Sequence, residues 1–377
     1  MKTNLHRISG FSLIELMIAM VLGIVIVGGC ISIFSGVIRS STLNQTVSNL
    51  QSNARFALDI LGHDVRAAGF LGCSSNRNTG LNVTVDNPPT TNLSLSAVTG
   101  YLVKEGSWTP AAPVSYTAAT SIGKPVPGTH ALSVHYADFP GFVLRASMET
   151  VSSDIELNPG DASRLYDGQL MVISDCNSAD LFSIAGVTST SAKLTLEPDS
   201  SLQKRYKVSA SSPNAARAMP FVSTIYYVGD TQRDSESGDD VYSLFAHSYP
   251  YTTANPPLEL IEGVDQLVLE FGVRQTDGSL LYVTADSVNY RAEGIETVRL
   301  GLLLSSTERF SDVNATRTYI LAGQTIGAQT SIPESTGNTA GNNPGDGTPE
   351  ATSLTYPGDT RLRMPFNATF NVRNRNI

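Results

Sequence analysis

The sequence predicts an α+β protein: one long N-terminal helix, half membrane-spanning and half amphipathic, packed on a large, mostly antiparallel β head of two lobes. Three observations carry that reading. Residues 11–38 form an almost uninterrupted apolar run, the apolar spacing then changes to steps of three and four without a proline, and the remainder alternates short β-branched runs with turn residues.

The first ten residues, MKTNLHRISG, hold Lys2 and Arg7 and no acid. The run that follows, FSLIELMIAMVLGIVIVGGCISIFSGVI, carries a single charge, Glu15. From Leu16 to Ile38 there is none, which gives roughly 35 Å of helix against a hydrocarbon core of about 30 Å. A basic start and a long polar remainder orient such a span with its N-terminus inside and its C-terminus outside. An ordinary secretory signal has a much shorter apolar region. A plain signal anchor leaves Glu15 unexplained, because a carboxylate in a membrane helix costs about 2.5–3.5 kcal/mol unless it snorkels from the helix end.

Beyond Arg39, the apolar positions Leu43, Val47, Leu50, Ala54, Leu58, Leu61 and Val65 fall on one helical face, opposite Asn44, Gln45, Asn49, Gln51 and Arg55. The first proline is Pro88. One helix therefore runs on to about Ala68, with Gly69 as its C-cap, and 39–69 is its amphipathic continuation.

Strands are expected at Ala131–Tyr136, Gln169–Ser174, Leu181–Val187, Lys193–Leu196, Val222–Val228 and Tyr242–Ala246. Others follow at Leu258–Ile261, Gln266–Arg274, Leu280–Val283, Glu296–Leu304 and Pro365–Val372. Asp277-Gly278 is a hairpin turn between two of them. The head divides into lobes 70–210 and 211–377, with a soft boundary near 209–218. Asn87–Pro113 reads as loop-rich, and 333–357, with GNTAGNNPGDGTPE at its centre, as a disordered surface loop.

Catalytic patterns are missing: the sequence holds no phosphate-binding glycine loop, His-Glu-x-x-His, Cys-x-x-Cys or Gly-x-Ser-x-Gly. No cofactor is implied. The five histidines are scattered, and His130 and His135 fall on opposite faces of a strand, a poor metal pair. The acidic run Asp230–Asp240 reads as a solvated hairpin tip, with calcium collection as the alternative. A net charge of −9 argues against general nucleic-acid binding. Arg361, Arg363, Arg373 and Arg375 invert that charge locally; they read as the outer face of an edge strand, with a DNA or phosphate patch as the alternative. Of the three cysteines, Cys30 lies in the apolar run. Its sequestration leaves Cys73 and Cys176 as a natural pair in an exported chain.

Gly10-Phe11-Ser12-Leu13-Ile14-Glu15, after a short basic leader and before an apolar helix, resembles the class III signal of type IV prepilins. That resemblance implies cleavage after Gly10 by a prepilin peptidase, N-methylation of Phe11, and Glu15 as the carboxylate that recruits each subunit by pairing with a buried amine. Leu50–Leu58, Asp64–Cys73, Ser174–Phe182 and the arginine-bearing C-terminus are similar to PilW-type minor pilins. The resemblance implies a non-enzymatic minor pilin that helps start a type IV pilus, lies at or near its tip and supports twitching, adhesion or DNA uptake. Its implied partners are other minor pilins and the major pilin, the prepilin peptidase, the inner-membrane assembly platform and, before assembly, membrane lipid; DNA enters only indirectly. The implied location is the inner membrane with the head in the periplasm, then the extracellular pilus. A J-type minor pseudopilin of a type II secretion system shares the leader and β-rich head, and a membrane-anchored periplasmic enzyme is the alternative of another class.

Overall fold

The computed structural model describes residues 12–72, 81–89, 93, 97–112, 122–175, 177–188, 192–197, 201–208, 216–236, 238–252, 254–285, 294–310, 316–329 and 354–374. The chain separates into two compact units, Met1–Ser52 and Asn53–Ile377. Leu13–Ala67 form a single helix, α1, as the absence of proline requires. It stops where Gly69 takes a left-handed conformation (φ +79°).

The remaining elements are β1 (Asn82–Val83), β2 (Val98–Lys104), β3 (Ser107–Thr109), β4 (Lys124–Pro125), β5 (His130–Ala137), β6 (Phe142–Val143), β7 (Ile155–Glu156), α2 (Pro159–Ala162), β8 (Leu170–Asp175), β9 (Ser178–Thr188) and β10 (Lys193–Leu196). They continue with β11 (Arg217–Asp234), β12 (Asp240–Ser248), β13 (Leu258–Glu262), β14 (Val264–Arg274), β15 (Leu280–Thr284), β16 (Ile295–Arg309), β17 (Tyr319–Leu321), β18 (Gln324–Gln329), β19 (Thr355–Pro357) and β20 (Arg361–Asn371).

Among the described residues, 13 strands make one sheet with the path β3-β2-β5-β11-β8-β9-β10-β7. Off that path, β1 joins β9, β4 and β6 join β11, and β12 links β11 to β13. A 4-stranded sheet runs β15-β14-β16-β20, and a 3-stranded one β17-β18-β19. Pairing is antiparallel except for β1 with β9 and β18 with β19. The long strand β11 follows the boundary expected near 209–218 and hydrogen-bonds to β5 and β8, which precede it.

Local chemistry explains these elements. His130–Ala137 is buried at every position because β5 sits between β2 and β11 in a covered region of the sheet. Strand β20 instead alternates half-buried and exposed residues from Met364 to Asn371, the signature of one solvated face. The hairpin at Asp277-Gly278 forms as expected: Gly278 has φ +86°, its N–H donates to the Gln275 carbonyl at 3.0 Å, and Asp277 Oδ1 accepts from the Ser279 N–H at 2.8 Å. Asp230 opens a bulge in which Gln232 turns left-handed (φ +56°), and the rest of the acidic run closes the β11–β12 hairpin.

Three expectations change. The loop-rich stretch 87–113 contains β2 and β3. Within β2, Gly100 makes room for the Phe271 ring of β14, which would lie 2.4 Å from a Cβ there. The segment expected as a loop over 333–357 ends in β19, where Tyr356 is fully buried; residues 333–353 lie outside the described ones.

The largest correction concerns Arg361 and Arg363. Strand β20 is an edge strand, but these two side chains point inward and are only 3% and 4% exposed. Arg363 Nε donates to Asp265 Oδ2 at 2.7 Å and its Nη2 to Asp359 Oδ2 at 2.6 Å; Arg361 Nε donates to Asp359 Oδ2 at 2.7 Å. Ser305 Oγ donates to the other oxygen of Asp265 at 2.9 Å. Burial pushes the Asp359 carboxyl up, but hydrogen bonds from both arginines outweigh it and hold the group below its usual range. Two positive charges offset two negative ones, so the network survives away from water. Arg373 is exposed, and Arg375 lies outside the described residues.

Candidate assembly helix and its seat on the sheet

The helix N-terminus combines a cap with a charge. From Leu13 to Ile38 the apolar side chains, including Leu16, Ile24 and Ile33, are more than half exposed. Glu15 is exposed among them, and its Oε2 accepts the Ser12 backbone N–H at 3.1 Å. Ser12 and Glu15 thus hold the positions of a capping box, a Ser-x-x-Glu pattern present in the sequence but overlooked in the reading of Glu15 as an assembly residue. Cys30 is exposed on the same helix. Gly10 and Phe11 lie outside the described residues.

The C-terminal part of α1 is seated on the head. Ala54, Ala57, Leu61, Val65 and Ala68 are completely buried, on the apolar face expected from spacing. Three of these are alanines, which let the helix backbone approach the sheet closely. Gly62 carries that further: a Cβ there would lie 2.4 Å from the Phe370 ring of β20. Arg66 lies over the same ring, 5.2 Å from its centroid.

One buried charge keys the helix to the large sheet. Asp64 Oδ1 accepts from the Tyr136 hydroxyl of β5 at 3.0 Å, and Oδ2 from the Tyr226 hydroxyl of β11 at 2.6 Å. His63 Nδ1, on a mostly exposed ring, also reaches Oδ1 at 3.0 Å. Burial, and then the Asp64 charge, raise both phenols well above the ordinary tyrosine range, so both remain donors at neutral pH. Sequence reading took Asp64-Val-Arg-Ala-Ala-Gly-Phe as a family marker without its cause. The signal available was an acid on the apolar side of an amphipathic helix, which needs donors.

Past the helix, the Gly69 N–H donates to the His135 carbonyl at 2.9 Å, and the Phe70 carbonyl accepts the Ala137 N–H at 2.7 Å. Gly72 abuts β8: a Cβ there would lie 2.9 Å from Ser174 Oγ. Asp175 Oδ1 accepts the N–H groups of Asn177 and Ser178 at 3.0 Å each, closing the β8–β9 turn. Asp180, fully buried, accepts from Asn82 Nδ2 at 2.5 Å, the Gln203 N–H at 3.0 Å and the Tyr206 hydroxyl at 2.5 Å. Both aspartates of the Ser174–Phe182 segment are therefore scaffolding. Cys73 and Cys176 lie outside the described residues.

The histidines do not converge. His130 Nδ1 accepts the Leu269 N–H at 2.9 Å, and His135 Nδ1 and Nε2 meet Ser223 Oγ at 2.8 Å and Ser133 Oγ at 3.1 Å. His247 Nε2 bonds the Asn255 carbonyl at 2.9 Å. His6 lies outside the described residues. Among the described residues, no three His, Cys, Asp or Glu side chains are grouped to hold a metal ion.

Comparison with known proteins adds two matches. Residues 5–31 match the family model of the prokaryotic N-terminal methylation motif, and residues 225–374 match that of type IV pilus-assembly protein W. No curated protein and no solved structure matches the chain. The second match covers the β12–β20 region with its buried arginine network, and the first covers the capped apolar helix that fits a single-pass membrane anchor. By these two segments the chain is similar to proteins that carry the N-terminal methylation motif and to type IV pilus-assembly protein W.

Proposed function

We propose that this subunit starts pilus assembly together with other minor pilins and stays at or near the tip, where it supports twitching, adhesion or DNA uptake. In this reading it enters the inner membrane with its N-terminus inside and its head in the periplasm. Prepilin peptidase cuts after Gly10 and methylates Phe11. Glu15 then pairs with the amine of a neighbouring subunit, offsetting the desolvation of both charges. Cys73 and Cys176 form a disulfide; the seat of Gly72 against Ser174, one and two residues before them, supports that pairing.

The observation that carries the reading is the size of the folded unit on a single assembly helix: one compact body runs from Asn53 to Ile377. A head of that size at every lattice position crowds its neighbours, whereas a few copies at one end cost no packing. Quantitative mass spectrometry of sheared pili tests it. A small ratio to the major pilin, together with loss of surface pili on gene deletion, is expected. A ratio near one overturns the tip assignment, and normal pilus numbers in the deletion strain overturn the role in starting assembly.

A further inference from the structure

The chain's far end closes over the end of its first element. At the helix terminus the last carbonyls of α1 have no partner within the helix and need outside donors. Asn374 is one of them: its Nδ2 faces the Arg66 and Ala67 carbonyls, each at 3.4 Å, the second of which also accepts the Phe70 N–H at 3.1 Å. Gly69 is pressed against the same residue so closely that a Cβ would come within 2.1 Å of the Asn374 carbonyl oxygen. Four residues earlier, Phe370 fills the space that Gly62 leaves and lies beneath the Arg66 guanidinium. Between them Val372 is buried, and its N–H donates to the Glu296 carbonyl of β16 at 2.9 Å. Phe370, Val372 and Asn374 thus alternate in contact with one helix turn and one strand, while Arg373 faces solvent.

We infer that residues 370–374 act as a strap that holds the last turns of α1 on the head, so that the helix is fully seated only when the C-terminus is complete and in place. The two partners lie some 300 residues apart in sequence. In synthesis the helix is made first and the strap much later, so seating cannot be completed on a partly made head. Two polar contacts of this helix region, Asp64 with Tyr136 and Tyr226, need only elements up to β11. The structure therefore separates an early attachment, through Asp64, from a late closure, through the strap.

The inference does not rest on the pilin reading and is tested on the purified full-length chain in detergent. Amide hydrogen exchange is followed at 60–69 and, as an internal control, in β14 and β16. Two variants are compared with the wild type: a chain ending at Asn371, and Asn374→Ala. The strap predicts exchange faster by roughly tenfold or more at 60–69 in the shortened chain, with a smaller increase in Asn374→Ala and the sheets still protected. Unchanged protection at 60–69 in the shortened chain overturns it. Equal loss of protection in β14 and β16 also overturns it, because the C-terminus is then ordinary core and not a strap.

Discussion

His135 is a neutral side chain in a place where a charged one does not fit. It lies on β5 between two serine hydroxyls and stacks on Phe221 with centroids 6.4 Å apart. Burial lowers its imidazole to about 4 from the ordinary value of 6.5. Between those values the unfolded chain binds a proton that the folded chain refuses, so stability falls as pH drops from 6.5 towards 4. By linkage the loss reaches about 3 kcal/mol. His135→Gln is expected to flatten that part of the profile, whatever its cost at neutral pH, when urea unfolding is compared at pH 7 and 4.5. An unchanged slope contradicts the assignment. Glu15 offers a sharper choice at the same scale. If its role is the bond to the Ser12 N–H, Glu15→Gln keeps a capping box and behaves as wild type. If its role is to meet an amine, as proposed here, Glu15→Gln fails to enter pili as completely as Glu15→Leu, with the head folded in both. Immunoblots of sheared pili decide between them. The sequence revealed the exposed carboxylate but not its cap, because the position of one acid serves either purpose.

Elements were legible where one period dominates. Lys193–Leu196 is a strand with the expected bounds, and the helix runs from the apolar segment to Ala67, one residue short of the expected end. Legibility failed where a residue's meaning depends on a distant partner. Gly100 has no evident place in a strand until Phe271 of β14 is placed beside it. Arg361 and Arg363 look solvated until Asp265, about a hundred residues earlier, is seen facing them. Small or charged residues carry no local mark of burial, so no period in the sequence could find them. The proposed Cys73–Cys176 bridge, an expectation from the sequence, is tested at this scale because it joins the chain after α1 to the β8–β9 turn. It closes a loop of about 100 residues, worth roughly 4–5 kcal/mol in the chain-entropy model. Non-reducing peptide mapping of the exported protein should recover the linked peptides, with Cys30 reduced. Two free thiols in the head exclude the bridge.

For the whole molecule, the fold assigns separate tasks to its parts. An exposed apolar helix with one carboxylate near its start suits a membrane before assembly and a helical bundle after it. The head is stabilised by its own sheets, by the Asp64 key and by a charge-balanced network around Asp265 and Arg363. In the proposed function, that division lets a subunit leave the bilayer with its head folded. In that proposal, processing at the leader precedes every later step. The intact mass of the chain recovered from sheared pili tests this most directly. The account predicts a chain that begins at Phe11, carries one methyl group on its amine and keeps the rest of the sequence; recovery from pili of a chain beginning at any other residue would contradict it.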